Sequence, residues 1–153
     1  MIREIIETDF EQLKVMYREI QDIHVINRPD VYKAVNPLSC EYFQFSLTDK
    51  DTLATVYEKD NELIGFCVTV LKSISNHPVM KDKKSGFMEA LFVKQNYRKQ
   101  GIGRELFIDI KDKLKERGID KLELMVWSFN EGAINFYRNE GMETRSEIME
   151  LSL

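Results

Sequence analysis

An apolar run that passes through a basic, glycine-bearing turn straight into an amphipathic segment constrains this chain more than any other stretch. It reads Leu91-Phe92-Val93-Lys94-Gln95-Asn96-Tyr97-Arg98-Lys99-Gln100-Gly101-Ile102-Gly103-Arg104-Glu105-Leu106-Phe107. A strand feeding a helix across such a turn builds an anion site. Gly101 and Gly103 carry no side chains, so several backbone N–H groups at the helix start can point at a phosphate, and the helix dipole adds to the attraction. Arg98, Lys99 and Arg104 supply mobile positive charge nearby. A tight strand-to-helix turn that needs small residues for packing would account for the glycines as well. Two familiar phosphate loops do not fit. A Walker A loop needs Gly-Lys-Ser/Thr, whereas Arg104 follows Gly103, and a dinucleotide fold needs a third glycine where Leu106 stands.

The chain has 153 residues, which suits one domain spanning 1–153 with a real core and is too short for two comfortable ones. The N-terminus, Met1-Ile2-Arg3-Glu4-Ile5-Ile6-Glu7, is charged from its first residues and does not read as a secretory signal. No apolar run approaches the roughly 20 residues of a membrane span, so no membrane partner is expected. Cys40 and Cys67 form neither a metal spacing nor a disulfide framework, which makes a reducing cytoplasm the default setting. A net charge of -4 argues against nucleic acid as the main ligand and weakly favours a cationic substrate. His24 and His77 stand far apart without ligating neighbours, so no metal site is expected.

Periodicity divides the chain into alternating elements. Ile2 to Thr8 reads as a first strand, and Thr8-Asp9-Phe10-Glu11 has the form of a capping box opening a helix. Phe10, Leu13, Tyr17, Ile20 and then Ile23 or His24 recur at helical spacing. Arg28-Pro29-Asp30 and Asn36-Pro37-Leu38-Ser39 interrupt it before the aromatic stretch Tyr42-Phe43-Gln44-Phe45. Leu53 to Glu58 and Leu63 to Leu71 flank a polar turn as an antiparallel hairpin, followed by a polar loop from Ser73 to Ser85 and a strand from Phe87 to Val93. The helix after the glycine turn places Ile102, Leu106, Ile110 and Leu114 on one face, with Gly118 as its C-terminal cap. Leu122 to Trp127 reads as a strand, Asn130 to Asn139 as a short helix closed by Gly141, and Ser146 to Leu153 as a last strand. The order predicts a single mixed sheet, mostly antiparallel, with helices on both faces.

The hexad Arg98-Lys99-Gln100-Gly101-Ile102-Gly103 fits Arg/Gln-x-x-Gly-x-Gly/Ala and resembles the pyrophosphate loop of the Gcn5-related N-acetyltransferases (GNAT). A second segment, Asn130 to Met142, resembles that family's Asn-x-x-Ala-x-x-Phe-Tyr-x-x-x-Gly-Phe, with Met142 in place of the last Phe. The resemblance extends to element order over nearly the whole chain and implies an acyl-CoA N-acyltransferase fold. It also implies acetyl-CoA as cosubstrate. Arg98, Lys99, Gln100, Gly101, Ile102, Gly103 and Arg104 would hold its pyrophosphate, and Leu91, Phe92 and Val93 its pantetheine arm, with main-chain contacts from Leu91 and Val93. Asn130 matches a polar residue that meets the coenzyme, although an ordinary helix N-cap explains its position equally.

Acetyl transfer to an amine requires a neutral amine beside the thioester, a stabilised oxyanion and a protonated leaving thiolate. Glu89 interrupts an apolar strand next to the expected coenzyme site and is the candidate base, expected to be partly desolvated; its alternative is a solvent-facing edge carboxylate. Tyr137 matches the family's general acid toward sulfur, the alternative being an aromatic core residue beside Phe136. Acceptor choice is expected to lie in Asp22 to Thr48, which carries His24, Asn27, Arg28, Asp30, Tyr32 and Glu41 without a legible signature. Beyond Gly141 there is no room for two full strands, which leaves the groove open on that side or completed by a second copy in a homodimer. The activity implied is N-acetyl transfer to a primary amine of a small molecule, peptide or protein. A non-catalytic acyl-CoA-binding sensor or interaction module is the competing class.

Overall fold

The computed structural model describes residues 1–153. Five strands form one sheet in the order β1 (Ile2–Glu4), β2 (Thr52–Lys59), β3 (Glu62–Ile74), β4 (Lys83–Val93), β5 (Leu122–Leu124). The first four pair antiparallel and β5 joins β4 in parallel, giving the expected mixed, mostly antiparallel sheet. Helices α1 (Phe10–Asn27) and α2 (Cys40–Thr48) cover one face, where Leu13, Met16 and Phe43 pack on Val56, Phe66 and Phe92. Helices α3 (Ile102–Glu116) and α4 (Glu131–Asn139) cover the other, with Leu106, Phe107, Ile110 and Leu114 against Ile64, Cys67 and Met88. With both faces buried, β3 needs the near-continuous apolar run it carries.

One extra residue in β4 reorganises the centre of the sheet. Ala90 pairs with Val68 and Met88 with Thr69, so Glu89 has no partner across the ladder. Such a bulge shifts the alternation by one. Met88 therefore packs with α3 and α4, while Ala90, two residues on, packs with α1 and α2.

Five local expectations change. The Thr8–Glu11 capping box does not form, because the chain enters α1 through a 3-10 turn at Glu7–Asp9. The Asp9 carboxylate instead accepts the Ile6 N–H at 2.9 Å and pairs with Arg3 at 2.7 Å. β1 ends at Glu4 rather than Thr8, and the loop expected over Ser73–Ser85 is shorter because β3 runs to Ile74 and β4 begins at Lys83. β5 ends at Leu124 instead of Trp127, since β4 and β5 part after the Met88–Leu124 pair. The strand expected over Ser146–Leu153 is not formed: no neighbouring strand lies beside it, and without a ladder strand composition alone does not make a strand. No helix is long and apolar enough to cross a membrane.

Candidate active site

Where β4 and β5 diverge, the edge of β4 beyond Met88 is left open. Lys94 donates its N–H to Ile64 of β3 at 2.9 Å, so by antiparallel alternation Phe92 shares that direction, and Leu91 and Val93 turn their backbone groups to the open side. The Val93 carbonyl is already engaged there, accepting from Arg98 Nε at 2.8 Å.

The glycine turn closes one end of this opening. Not one backbone N–H from Lys99 through Arg104 donates to a backbone carbonyl, which leaves six consecutive donors at the start of α3. Lys99 and Gly101 have φ of 60° and 87°, the alternation that makes successive N–H groups converge into a concave anion nest. The demand for glycine rests on Gly101 alone. Gly103 lies in the helix, and a Cβ there would meet Phe136 and Val93 at 3.7 Å, an ordinary contact; at Gly101 the space is open but the backbone is left-handed. The cations are partly occupied: Arg98 lies 5.6 Å over the Phe92 ring, Arg104 pairs with Glu140 at 3.4 Å, and Gln100 bonds the Asn96 carbonyl at 3.2 Å. Lys99 is exposed and in no ion pair.

Two polar groups reach the opening from opposite faces, because the bulge turns Glu89 toward α2 and Met88 toward α4. Glu89 accepts a hydrogen bond from Tyr42 Oη of α2 at 2.6 Å. It is exposed, contrary to the expected desolvation, since the bulge lifts it out of the packed face. Burial first, and then the Glu89 carboxylate, push the Tyr42 hydroxyl well above the ordinary tyrosine range, so it stays protonated and donating. Behind it, Tyr17 is half-buried and stacked on Phe66 at 4.7 Å. Neither tyrosine carries a sequence signal: Tyr17 is one member of the α1 apolar stripe, and Tyr42 lies 47 positions from Glu89.

On the other face, Tyr137 of α4 brings its hydroxyl 3.9 Å from Met88 Sδ. Burial raises its pKa well above the usual value. Phe136 meets Phe107 edge-on at 5.9 Å, and Tyr137 packs against the same ring at 6.3 Å. Asn130 accepts the Ala133 N–H at 3.2 Å and is the N-cap of α4. Cys67 is buried and its thiol is pushed up to about 12, which removes it as a nucleophile near neutrality.

Past the end of β5, aromatic rings cluster. Trp127 Nε1 donates to Tyr32 Oη at 2.7 Å, His24 packs on Tyr32 and Phe129, and the Arg28 guanidinium sits 4.6 Å over the Trp127 ring. A surface hollow lined by Glu4, Ser46, Asp49, Lys50, Lys113 and Arg117 lies at the far end of α3 and shares no residue with this opening.

Residues 14–142 match the acetyltransferase (GNAT) family. The fold superposes on a tetramutant form of the BH1408 protein from Bacillus halodurans with a TM-score of 0.95, at 28% identity over 100% of this chain and 99% of that one. The aminoglycoside N-acetyltransferase AAC(6')-Iy in complex with CoA shares the fold at a TM-score of 0.75 and 14% identity, over 100% and 98% of the two chains. Among curated relatives, an uncharacterized N-acetyltransferase of Lactobacillus delbrueckii subsp. lactis is 30% identical over 58% of this chain and 50% of its own length. An L-ornithine N5-acetyltransferase of Arabidopsis thaliana is 29% identical over 47% and 32%. The matched region thus spans half or less of these curated relatives.

Proposed function

Because this chain belongs to the GNAT acetyltransferase family, we propose that it moves an acetyl group from acetyl-CoA to a primary amine of a small molecule, peptide or protein by direct attack of the amine on the thioester. The observation that carries this reading is the row of six unpaired N–H groups at the mouth of an opening that Glu89 and Tyr137 reach from opposite faces. A pyrophosphate fits such a row, because charge-assisted bonds to several N–H groups satisfy donors that the first turn of a helix leaves orphaned. Lys99 adds an unpaired positive charge. The backbone of Leu91 is free to pair with an extended, amide-bearing arm, and Val93 becomes so when Arg98 swings from its carbonyl.

Acetyl-CoA supplies the activated acetyl thioester; the chain supplies position and proton transfer. An alkylamine with a pKa near 10.4 arrives protonated at neutral pH. Glu89, exposed to the α1–α2 side and oriented by Tyr42, takes that proton directly or through water. Tyr137, on the opposite face, keeps its own proton because burial disfavours the phenolate, and gives it to the departing sulfur. A base and an acid on opposite sides of one slot separate the arriving nitrogen from the leaving thiolate. The free thiols Cys40 and Cys67 fit a cytoplasmic setting.

The test is release of free CoA thiol from acetyl-CoA with a panel of polyamines, aminoglycosides, amino acids and peptides, beside calorimetric titration of acetyl-CoA. Binding with thiol release on at least one amine is expected. Tyr137→Phe should lower turnover by roughly 10- to 1000-fold with acetyl-CoA affinity retained. Tight binding without turnover on any amine would point to the acyl-CoA-binding module instead, and no binding would remove both readings.

A further inference from the structure

The hollow at the far end of α3 is walled by charge and floored by a hydroxyl. Leu53 and Tyr57 of β2 and Ile2 of β1 pack toward α3, so Thr55 and Glu4, which stand opposite each other across the β1–β2 ladder, share that face. Thr55 is only 1% exposed, and its Oγ1 is the one buried side-chain oxygen or nitrogen of the chain without a hydrogen-bond partner. Such an orphan calls for a partner. A void of about 10 Å³ on the opposite face also borders Thr55, but Leu13, Phe43, Phe66 and Val68 wall it, and a trapped water needs about two to four polar contacts. The hollow is the side from which a partner can come.

Around that floor, opposite charges share one space without meeting. The walls carry the acids Glu4 and Asp49 and the bases Lys50, Lys113 and Arg117, yet no acid–base pair among them comes within 4.0 Å. Asp49 accepts from the Thr52 hydroxyl at 2.6 Å, Lys113 pairs with Asp109 at 2.8 Å, and Arg117 donates one N–H to the Lys50 carbonyl at 2.7 Å. The Glu4 carboxylate, the Lys50 ammonium and the Arg117 guanidinium are in no ion pair. The space between these groups is about 140 Å³, comparable with the roughly 150 Å³ that takes up benzene.

We propose that this hollow binds a small zwitterion of the amino-acid type, its carboxylate toward Lys50 and Arg117, its ammonium toward Glu4, and the Thr55 hydroxyl completing its hydrogen bonds. The class follows from the mixture of charges. A lone anion would sit beside Glu4 and Asp49, and a lone cation beside three bases, whereas a molecule carrying both charges meets each with its opposite through charge-assisted bonds. Lys113 and Arg117 lie one turn apart on the last stretch of α3, so the bound molecule ties that end of the helix to β1 and to the chain leaving α2. The site shares no residue with the acetyl-transfer opening and stands on geometry independent of it.

The experiment is saturation-transfer NMR of the full chain with L-alanine, and with acetate and ethylamine as its separate halves. L-alanine should bind with a Kd on the order of 1 mM, and each half roughly 10-fold more weakly or worse. Arg117→Glu, which reverses an exposed charge, and Thr55→Val, which removes only the hydroxyl, should each weaken alanine binding roughly 10-fold or more; far-UV circular dichroism establishes that both are folded. Glu89→Gln, in the other opening, should leave alanine binding within about twofold. No alanine binding would overturn the proposal, as would acetate or ethylamine bound as tightly as alanine, or alanine bound as tightly by either folded variant as by the parent. Loss of alanine binding in Glu89→Gln would overturn it too, by placing alanine in the acetyl-transfer opening.

Discussion

The two sides of the opening are built from different materials. On the β4–α3 side, the groups offered to a ligand are backbone N–H donors of Lys99 to Arg104 and the backbone edge at Leu91 and Val93; the side chains mostly stabilise the turn. On the α1–α2 side, the groups are side chains brought from distant positions: Glu89 with Tyr42, and Trp127 with Tyr32, His24 and Arg28. A backbone site restricts sequence only where a conformation must be met, which leaves a short, dense motif. A side-chain site restricts residues scattered along the chain by tertiary packing, which leaves no local pattern. Under the proposed function, the first side would meet the shared cosubstrate and the second the acceptor.

If the β4–α3 side works through backbone conformation, the largest effect should come from Gly101→Val. A β-branched residue at φ 87° is strained by about 1–3 kcal/mol, and relaxing that strain moves the donors out of register. Acetyl-CoA affinity should fall on the order of 100-fold or more by calorimetry. Gly103→Ala is the counterpart: its Cβ meets only ordinary contacts, so affinity should stay within a few-fold. Equal losses at both positions would mean that the turn excludes side-chain volume rather than requiring a left-handed backbone.

Glu89→Gln tests the other side through its pH dependence. Losing a proton acceptor matters most where the amine is protonated, so the deficit in kcat/KM should be largest near neutrality, roughly 10- to 100-fold, and shrink toward the amine's own pKa. Tyr137 should not complicate that limb, since burial holds its hydroxyl protonated beyond the usual titration of a tyrosine. A deficit constant with pH would make Glu89 a positioning group.

The same contrast governs what could be read from the sequence. The glycine turn, the α3 stripe ending at Gly118 and the α4 segment with Tyr137 are local, and the residues that define them are neighbours. Gly118 does adopt φ 71° and its N–H bonds the Lys115 carbonyl, as a helix cap should. The bulge at Glu89 is invisible locally because no glycine or proline marks it; it arises from the registers of β3 and β4 on either side. Ser146–Leu153 fails for the converse reason. Its residues favour a strand, but whether they form one depends on a neighbour that this chain does not place beside them. Tyr42 was hidden by distance, standing in an aromatic stretch whose other members, such as Phe43, are core.

Tyr42→Phe is the smallest and most discriminating change. The ring stays, so packing of α2 on the sheet should survive, and only the 2.6 Å bond to Glu89 is lost. A hydrogen bond to a charged group contributes about 1.5–3 kcal/mol when buried. Glu89 is exposed, so water replaces much of it, and the expected fall in kcat/KM is only about 3- to 10-fold. Acetyl-CoA affinity should not change, because the β4–α3 side is untouched. If Tyr42 acts by orienting Glu89, its loss should cost nothing further once Glu89→Gln is present, since partners in one network are not additive. Full additivity of the two substitutions would separate Tyr42 from Glu89 and make it an independent contact to the acceptor.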